Sequence, residues 1–216
     1  MTGTDIPIKA TPIRVLCVDD HPIVQDGMHS MIRDQEDMMV AGCAYQASEA
    51  IDLTKSVRPD VILMDLNLPD MSGIAATQLI RSAHPFAQVI VLTTYGREED
   101  VRGAIEAGAN GYLLKEALQS EMIAAIRHVH KGGRYLPKTI AARLADSMSR
   151  EPLTHWEREV LDHISNGLRN EEIAKALRIK HQTVKTHVKA ILAKLGAADR
   201  TQAILTAIRR GLVHLK

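Results

Sequence analysis

At 216 residues, 45% hydrophobic and 25% charged, the chain has the composition of a folded protein of one large or two modest domains, and no apolar run approaches the roughly 18 residues of a membrane span. Its formal net charge of +1 hides a division, because residues 1–150 hold 15 Lys and Arg against 19 acids and residues 151–216 hold 12 against 7. An acidic first part joined to a basic second part reserves nucleic acid, as a class of partner, for the second.

Aromatic residues make up only 3% of the chain, so its core must be built from Ile, Leu, Val, Ala and Met. Met1 to Pro12 is short and polar, without the apolar centre of a signal peptide, and reads as a loose N-terminal extension. Cys17 and Cys43 both fall in predicted strands, which points to reduced core thiols and makes the bacterial cytoplasm the expected compartment.

Ile13–Val18 (IRVLCV) is the first predicted strand and ends in Asp19-Asp20. A helix over Pro22–Arg33 follows, with Pro in its first turn and Ile23, Val24, Met28, Met31 and Ile32 as its apolar residues. Met38–Ala44 is a second strand and Ala47–Lys55 a second helix. The stretch from Val61 to Gly73, VILMDLNLPDMSG, is the centre of the pattern. A buried-strand run there delivers a single acid, Asp65, to its carboxyl end, and turn residues follow. A helix over Ile74–Ser82 leads to a strand over Gln88–Leu92 that ends in Thr93. A short helix over Val101–Ala107, stopped by Gly108, leads to a strand over Gly111–Leu114 that ends in Lys115, and a helix over Glu121–His130 closes the series. Five strand-then-helix units in succession predict an α/β fold, a doubly wound five-stranded parallel sheet with helices on both faces.

Gly132-Gly133 breaks this pattern. Residues 132–150 read as a polar linker with a short helix over Lys138–Met148, and nothing after them reads as a strand. Glu151–Lys216 reads as four helices, a separate all-α domain. Thr154 with Glu157, and Asp199 with Gln202, have capping-box spacing, and Asn170 is placed as the N-cap of a helix with Glu171 and Glu172 in its first turn. Two helices separated only by Leu177-Arg178-Ile179-Lys180 form a helix-turn-helix.

In a doubly wound sheet, residues just beyond neighbouring strand ends converge, and here these are Asp19, Asp20, Asp65, Thr93 and Lys115. Taken alone, Asp65 is a ligand, a nucleophile, a helix cap or a turn residue. Three carboxylates in one pocket repel each other unless a cation lies among them, and hard oxygen donors of this kind suit Mg²⁺. Lys115 and the Thr93 hydroxyl would complete a place for the oxygens of a phosphoryl group.

From Arg14 to His130 the chain resembles the receiver domain of two-component response regulators, on Asp19-Asp20, Asp65 followed by Pro69 and Gly73, Thr93, and Gly111-Tyr112-Leu113-Leu114-Lys115. The resemblance implies a flavodoxin-like strand order, and that Asp65 accepts a phosphoryl group from a sensor histidine kinase. It also implies Mg²⁺ bound by Asp20, Asp65 and the backbone carbonyl of Asn67, with Asp19 assisting. Thr93 and Lys115 would then be drawn to the phosphoryl oxygens, and Tyr112 would turn from exposed toward buried. Thr94 is larger than the residue often found at its position. With Asn67 and Tyr95 it lines the approach of water to the acyl phosphate, so slow autodephosphorylation is expected.

Within Gln182 to Leu195, Val184, Val188, Ile191 and Leu195 form one apolar stripe, and Gln182, Lys185, Thr186 and Lys189 occupy the opposite face. On the second helix of a helix-turn-helix, Gln can read adenine, Lys can reach guanine or phosphate, and Thr can touch a thymine methyl. The plainer alternative is a solvated face. Glu151–Lys216 resembles the LuxR-type (GerE-like) DNA-binding domain on Glu159-Val160-Leu161, Gly167, Asn170, Glu172-Ile173-Ala174, Thr183-Val184-Lys185-Thr186-His187 and Lys194-Leu195. This implies DNA contacts from Lys185, Thr186 and Lys189, and dimerisation through the last helix, Thr201 to Arg210. Arg178 and Lys180 depart from the pattern, standing where Gly and a Ser N-cap are usual, and each forfeits local stability while adding positive charge.

Together the resemblances imply a NarL/FixJ-type response regulator, with a receiver at 13–131, a linker at 132–150 and a DNA-binding domain at 151–216. Such a protein is a cytoplasmic transcription regulator rather than an enzyme, with no membrane partner. Its expected partners are double-stranded DNA, read by helix 181–195, a sensor histidine kinase, and a second copy of itself when phosphorylated. There are three alternatives. An atypical regulator that binds DNA without phosphorylation is disfavoured by the complete acidic pocket, and a Mg²⁺-dependent phosphohydrolase needs a general acid or base beside Asp65, for which the sequence offers no good candidate. A ligand-sensing transcription factor, the third, is told apart by whether an acyl-phosphate donor or a small molecule alters DNA binding.

Overall fold

The computed structural model describes residues 11–94, 96–117, 119–148 and 150–213. The chain divides into two compact units, one that runs to Gly96 and resumes over Gly103–Lys138 and holds the sheet, and one made of Arg97–Arg102 and the helices that follow Lys138. In the first, β1 (Ile13–Val18), β2 (Met38–Ala44), β3 (Val61–Asp65), β4 (Gln88–Thr93) and β5 (Gly111–Leu114) form one parallel sheet in the order β2-β1-β3-β4-β5. The expected doubly wound architecture is therefore present. All five residues of β3 are buried, as a central strand covered on both faces requires, and this is why it reads as a continuous apolar run.

The strand order reverses between β1 and β3, the place where such sheets bind their ligands. Register then brings the strand ends level. Val18 pairs with Met64, Asp65 with Leu92 and Thr93 with Leu114, so Asp19, Asp65, Thr93 and Lys115 emerge along one edge. The connecting helices are α1 (Pro22–Arg33), α2 (Ala47–Val57), α3 (Gly73–Ala83), α4 (Glu98–Glu106) and α5 (Gln119–His130).

α4 begins three residues before the predicted start, with Glu98, Glu99 and Asp100 in its first turn. Those acids favour the positive end of a helix but carry no apolar periodicity to read. On α1, Met28 and Ile32 are buried as expected, but Ile23 is 82% exposed and the inward place is taken by Gln25. Cys17 is buried in the core, and its neighbour in register, Cys43, is half-buried with Sγ 2.8 Å from His29 Nε2. Beyond α5, where no strand was predicted, Tyr135 pairs with the edge of β5. Its N–H donates to the Asn110 carbonyl at 2.9 Å, and its carbonyl accepts from Tyr112 N–H at 2.9 Å. A single bridge leaves no alternation in sequence.

The second unit contains α6 (Lys138–Met148), α7 (His155–Ser165), α8 (Asn170–Leu177), α9 (His181–Leu195) and α10 (Arg200–Arg210). α9 packs against α7, α8 and α10 over a core of Val160, Leu161, Ile164, Ile173, Val184, Ile191 and Leu195. The Thr154–Glu157 capping box is complete: Glu157 N–H donates to Thr154 Oγ1 at 3.3 Å, and Thr154 N–H to Glu157 Oε2 at 2.8 Å. Asp199 caps α10 as expected, accepting from Gln202 N–H at 2.8 Å.

The assignment of Asn170 is corrected. The N-cap of α8 is Arg169, whose side chain cannot accept a hydrogen bond, and the turn is closed by Glu172 accepting from Arg169 N–H at 2.6 Å. Glu157, buried beside the Thr154 amide, is also paired with Lys194 at 2.9 Å. Burial raises its carboxyl, but the Thr154 amide and Lys194 outweigh that and hold it below the usual range.

Arg178 ends α8 with φ 55°, the left-handed conformation in which a Cβ is disfavoured, and Lys180 caps α9 without a side-chain bond. Arg178→Gly is expected to stabilise this unit by about 1 kcal/mol. The chain's one tryptophan, Trp156, lies in α7, so a denaturant titration followed by its fluorescence reads this unit directly, and an unchanged midpoint would count against the strain.

Candidate functional site

The pocket at the carboxyl edge is built from four strand ends and one helix. Asp65 closes β3 and is 1% exposed, and Asp19, one residue past β1, is fully buried. Asp19 is tied to the start of α1. Its Oδ1 accepts from His21 N–H at 3.0 Å, and its backbone carbonyl accepts from Gln25 Nε2 at 3.2 Å. The same Gln25 amide reaches the carbonyls of Cys17 at 3.3 Å and Ala44 at 2.8 Å, fastening the ends of β1 and β2 together. Reading the helix for apolar spacing passed over Gln25; the available signal was a polar residue on the inward side of an apolar stripe.

Lys115 lies between the two buried acids, with Nζ 2.6 Å from Asp19 Oδ2 and 2.9 Å from Asp65 Oδ2. Its backbone N–H donates to the Thr93 carbonyl at 2.7 Å, which sets Thr93, itself buried, alongside it. Asp65 Oδ1 is buried and accepts no hydrogen bond within bonding distance among the described residues. Burial pushes the Asp65 carboxyl above the ordinary carboxylate range; Lys115 and the Asn67 amide oppose this, and the neighbouring Asp19 adds to it. Burial likewise works against the Lys115 ammonium, but the two carboxylates more than compensate and raise it.

The loop after β3 is tightly fixed. Gly73 N–H donates to the Leu66 carbonyl at 2.8 Å, and a Cβ at Gly73 would collide with the Asp65 carbonyl, so only glycine fits. Asn67 and Ser72 form an antiparallel bridge, and Ser72 caps α3 by accepting from Ala75 N–H at 3.2 Å. Asp70 accepts from the Ala47 and Ser48 amides, each at 2.9 Å. It thus caps α2, whose own N-cap Gln46 makes no side-chain bond. The Ser48 amide first, then that of Ala47, against some burial, brings the Asp70 carboxyl down to about 2. Sequence alone marked Asp70 only as a turn residue.

Of the predicted site residues, the structure brings Asp19, Asp20 and Asp65 together with Lys115 between Asp19 and Asp65, sets Thr93 at the neighbouring strand end, and lines a shallow cavity with Asp20 and Asn67 beside Leu68 and Pro69. Tyr112 on β5 is already buried, 1% exposed, and not in the exposed position from which the resemblance has it turn. Thr94 is exposed, and Tyr95 lies outside the described residues. The group that sequence reading left out is His21, the residue after Asp19-Asp20. Its Nδ1 lies 2.6 Å from Asp20 Oδ1 and 3.3 Å from Asp19 Oδ1.

In the second unit, Gln182, Lys185, Thr186 and Lys189 are all exposed on one face of α9, while Val184, Ile191 and Leu195 are buried and Val188 half-buried on the other. The Thr186 hydroxyl donates to the Gln182 carbonyl at 3.1 Å. Arg178 and Lys180, just ahead of the helix, are also exposed. On α10, Ala203 and Ala207 are used by the core and Leu205 is 55% exposed. Among the described residues, no helix is long and apolar enough to cross a membrane.

Residues 15–127 match the family model described as the response regulator receiver domain, and residues 151–207 that of bacterial regulatory proteins of the luxR family. The Bacillus subtilis (strain 168) protein named uncharacterized transcriptional regulatory protein YxjL is 44% identical over 213 residues, with 94% of this chain and 98% of that protein covered. The response regulator ChrA of a heme-sensing two-component system is 37% identical, with a TM-score of 0.56 over 94% of this chain and 99% of its own. RcsB from Salmonella enterica serovar Typhimurium, solved bound to a promoter in the presence of the phosphomimetic BeF3-, is 25% identical with a TM-score of 0.72, over 91% of this chain and 98% of its own. The chain belongs to the response regulators, in the branch that joins a receiver domain to a LuxR-type DNA-binding domain.

Proposed function

We propose that this response regulator is switched by phosphorylation of Asp65. The observation that carries the reading is the placement of that side chain: a buried carboxylate at a strand end, 2.9 Å from Lys115 Nζ and clustered with the carboxylates of Asp19 and Asp20. The attacking carboxylate oxygen forms a bond to phosphorus as the bond to the kinase's histidine nitrogen breaks, and the electron pair returns to that nitrogen. Thr93 and Lys115, at the ends of β4 and β5, supply a hydroxyl and an ammonium for the phosphoryl oxygens.

The pocket fits Mg²⁺: the orphaned Asp65 oxygen and the excess of acids over the single Lys115 call for a further cation, and Asp19, Asp20, Asp65 and the Asn67 carbonyl would hold it. When bound, Mg²⁺ supplies positive charge that offsets the acid cluster and the charge on the phosphoryl oxygens. Incubation with acetyl phosphate and Mg²⁺ is expected to give a phosphoryl adduct by intact mass on the wild type and none on Asp65→Asn. An unmodified wild type would end the proposal.

Phosphorylation adds about −1.5 to −2 charges at Asp65. Drawn toward them, Thr93 and Lys115 move the ends of β4 and β5, and Tyr112 on β5 registers the change. The output is homodimerisation and reading of double-stranded DNA by α9, through Gln182, Lys185, Thr186 and Lys189. A sensor histidine kinase is the phosphoryl donor, and the setting is the cytoplasm. Because Thr94 stands exposed beside Thr93, Thr94→Ala is expected to hasten loss of the acyl phosphate. The check is the decay of the adduct by mass after removal of donor, and a decay as slow as wild type would count against a gating role.

A further inference from the structure

We propose that Arg178 and Lys180, the two outward residues of the turn between α8 and α9, hold the DNA backbone beside the groove and give this chain a sequence-independent grip on duplex. The inference rests on the reading of α9 as the groove-reading helix and extends it to residues outside that helix. Each residue costs stability where it stands. Arg178 ends α8 at φ 55° and ψ 40°, where a side chain is strained and glycine is the favoured residue. Lys180 is the N-cap of α9 and makes no side-chain bond there, at a position where Ser, Thr, Asp or Asn would accept from the first turn. Arg58 ends α2 in the same left-handed conformation, so strain alone marks nothing. What sets Arg178 apart is a second unfavourable choice two residues later, which brings the same charge.

The turn alternates: Leu177 and Ile179 pack on the helical core, while Arg178 and Lys180 are exposed. Its backbone is closed without their side chains, because Arg178 N–H donates to the Lys175 carbonyl at 3.3 Å and Ile179 N–H to that of Ala174 at 3.0 Å. Glycine and serine would therefore serve the fold better. Other cations of this unit are in use. Lys194 pairs with Glu151 at 3.0 Å and Glu157 at 2.9 Å, and Arg210 donates to the Leu195 carbonyl at 3.4 Å. Among the described residues, the side chains of Arg178 and Lys180 meet neither an acid nor a carbonyl, a freedom they share with Lys185 and Lys189 on α9. A helix that enters the major groove by its first residues brings the turn ahead of it to the groove's edge, where phosphates lie and base edges do not.

The test is binding of the full-length protein, with and without acetyl phosphate, to a mixed-sequence DNA duplex by fluorescence anisotropy across a salt series, alongside the denaturation midpoint. The variants are Arg178→Gln, Arg178→Gly and Lys180→Ser, with Lys55→Ala, which removes an exposed cation from α2, as the charge-matched control. Each turn variant is expected to weaken binding about eightfold at about 0.1 M salt and to lower the slope of log affinity against log salt by about 1, with a midpoint no lower than wild type. Lys55→Ala leaves affinity and slope unchanged. A wild-type slope in any turn variant overturns the inference, and so does an equal loss in Lys55→Ala, which would make the effect one of net charge. A midpoint that falls together with affinity makes the residue structural and also overturns it. Lys185→Ala and Lys189→Ala separate this inference from the reading of α9: if they weaken binding while the turn variants do not, only the inference fails. If they too match wild type, or the wild type binds no duplex in either state, both fail.

Discussion

Lys115→Ala is expected to destabilise the sheet unit by about 3 kcal/mol at neutral pH in the absence of divalent cations. The side chain is the cation shared by two buried carboxylates, at 2.6 and 2.9 Å, and its loss leaves Asp19 and Asp65 facing each other with nothing between them. The sign of the pH dependence follows from Asp65. Burial already holds its carboxyl above the ordinary range in the folded chain, so its contribution is fully present below the unfolded pKa and is lost as pH rises through the folded one. Removing Lys115 pushes the carboxyl further up. The variant's deficit is therefore largest at neutral pH and shrinks in acid, where one proton does the work of the missing ammonium. Added Mg²⁺, binding only the folded chain, recovers part of the deficit by mass action. Chemical denaturation followed by circular dichroism, at neutral and acid pH with and without Mg²⁺, measures all three. A deficit independent of both proton and metal would mean that Lys115 contributes packing rather than charge.

Lys185→Ala and Lys189→Ala are expected to give the largest losses in DNA affinity, and to differ in kind from each other if one meets a base and the other a phosphate. A lysine on a base edge costs about 1–3 kcal/mol and relaxes the preference for its position. A lysine on phosphate weakens every sequence alike and lowers the slope of log affinity against log salt by about 1. Both side chains are exposed on the face of α9 turned away from the buried Val184, Ile191 and Leu195. Fluorescence anisotropy of the phosphorylated protein on operator and random duplexes, across a salt series, separates the two. Binding by either variant that matches wild type throughout would remove that residue from the interface.

The fold was legible where burial on both faces compels an uninterrupted apolar run. β1, β2 and β5 have the bounds read from sequence, and β3 ends at the acid that marked it. The polar residues of the pocket were legible for a related reason, since parallel pairing places the residue after each strand on one edge. Contacts that depend on distant segments meeting were not. Gln25 bridging β1 and β2, Asp70 capping α2, and Lys194 reaching Glu157 at 2.9 Å all join residues whose separation in sequence carries no period. The misplaced cap of α8 has a local cause: Glu172 closes the turn from three residues on, which freed the cap position to hold an arginine.

The pairing of Tyr135 with β5 bears on how this protein can be cut. β5 lies at the end of the sheet, and its outer rim is covered by the single strand-like turn of chain around Tyr135. A fragment ending at Lys131 would keep every strand and helix of the receiver, yet would strip that cover and bare the amide of Tyr112 and the carbonyl of Asn110. Open strand rims recruit other chains. Such a fragment should self-associate in ways that mimic signalling dimers, whereas one carried through Pro137 should stay discrete, and oligomer measurements on isolated receivers will depend on those six residues.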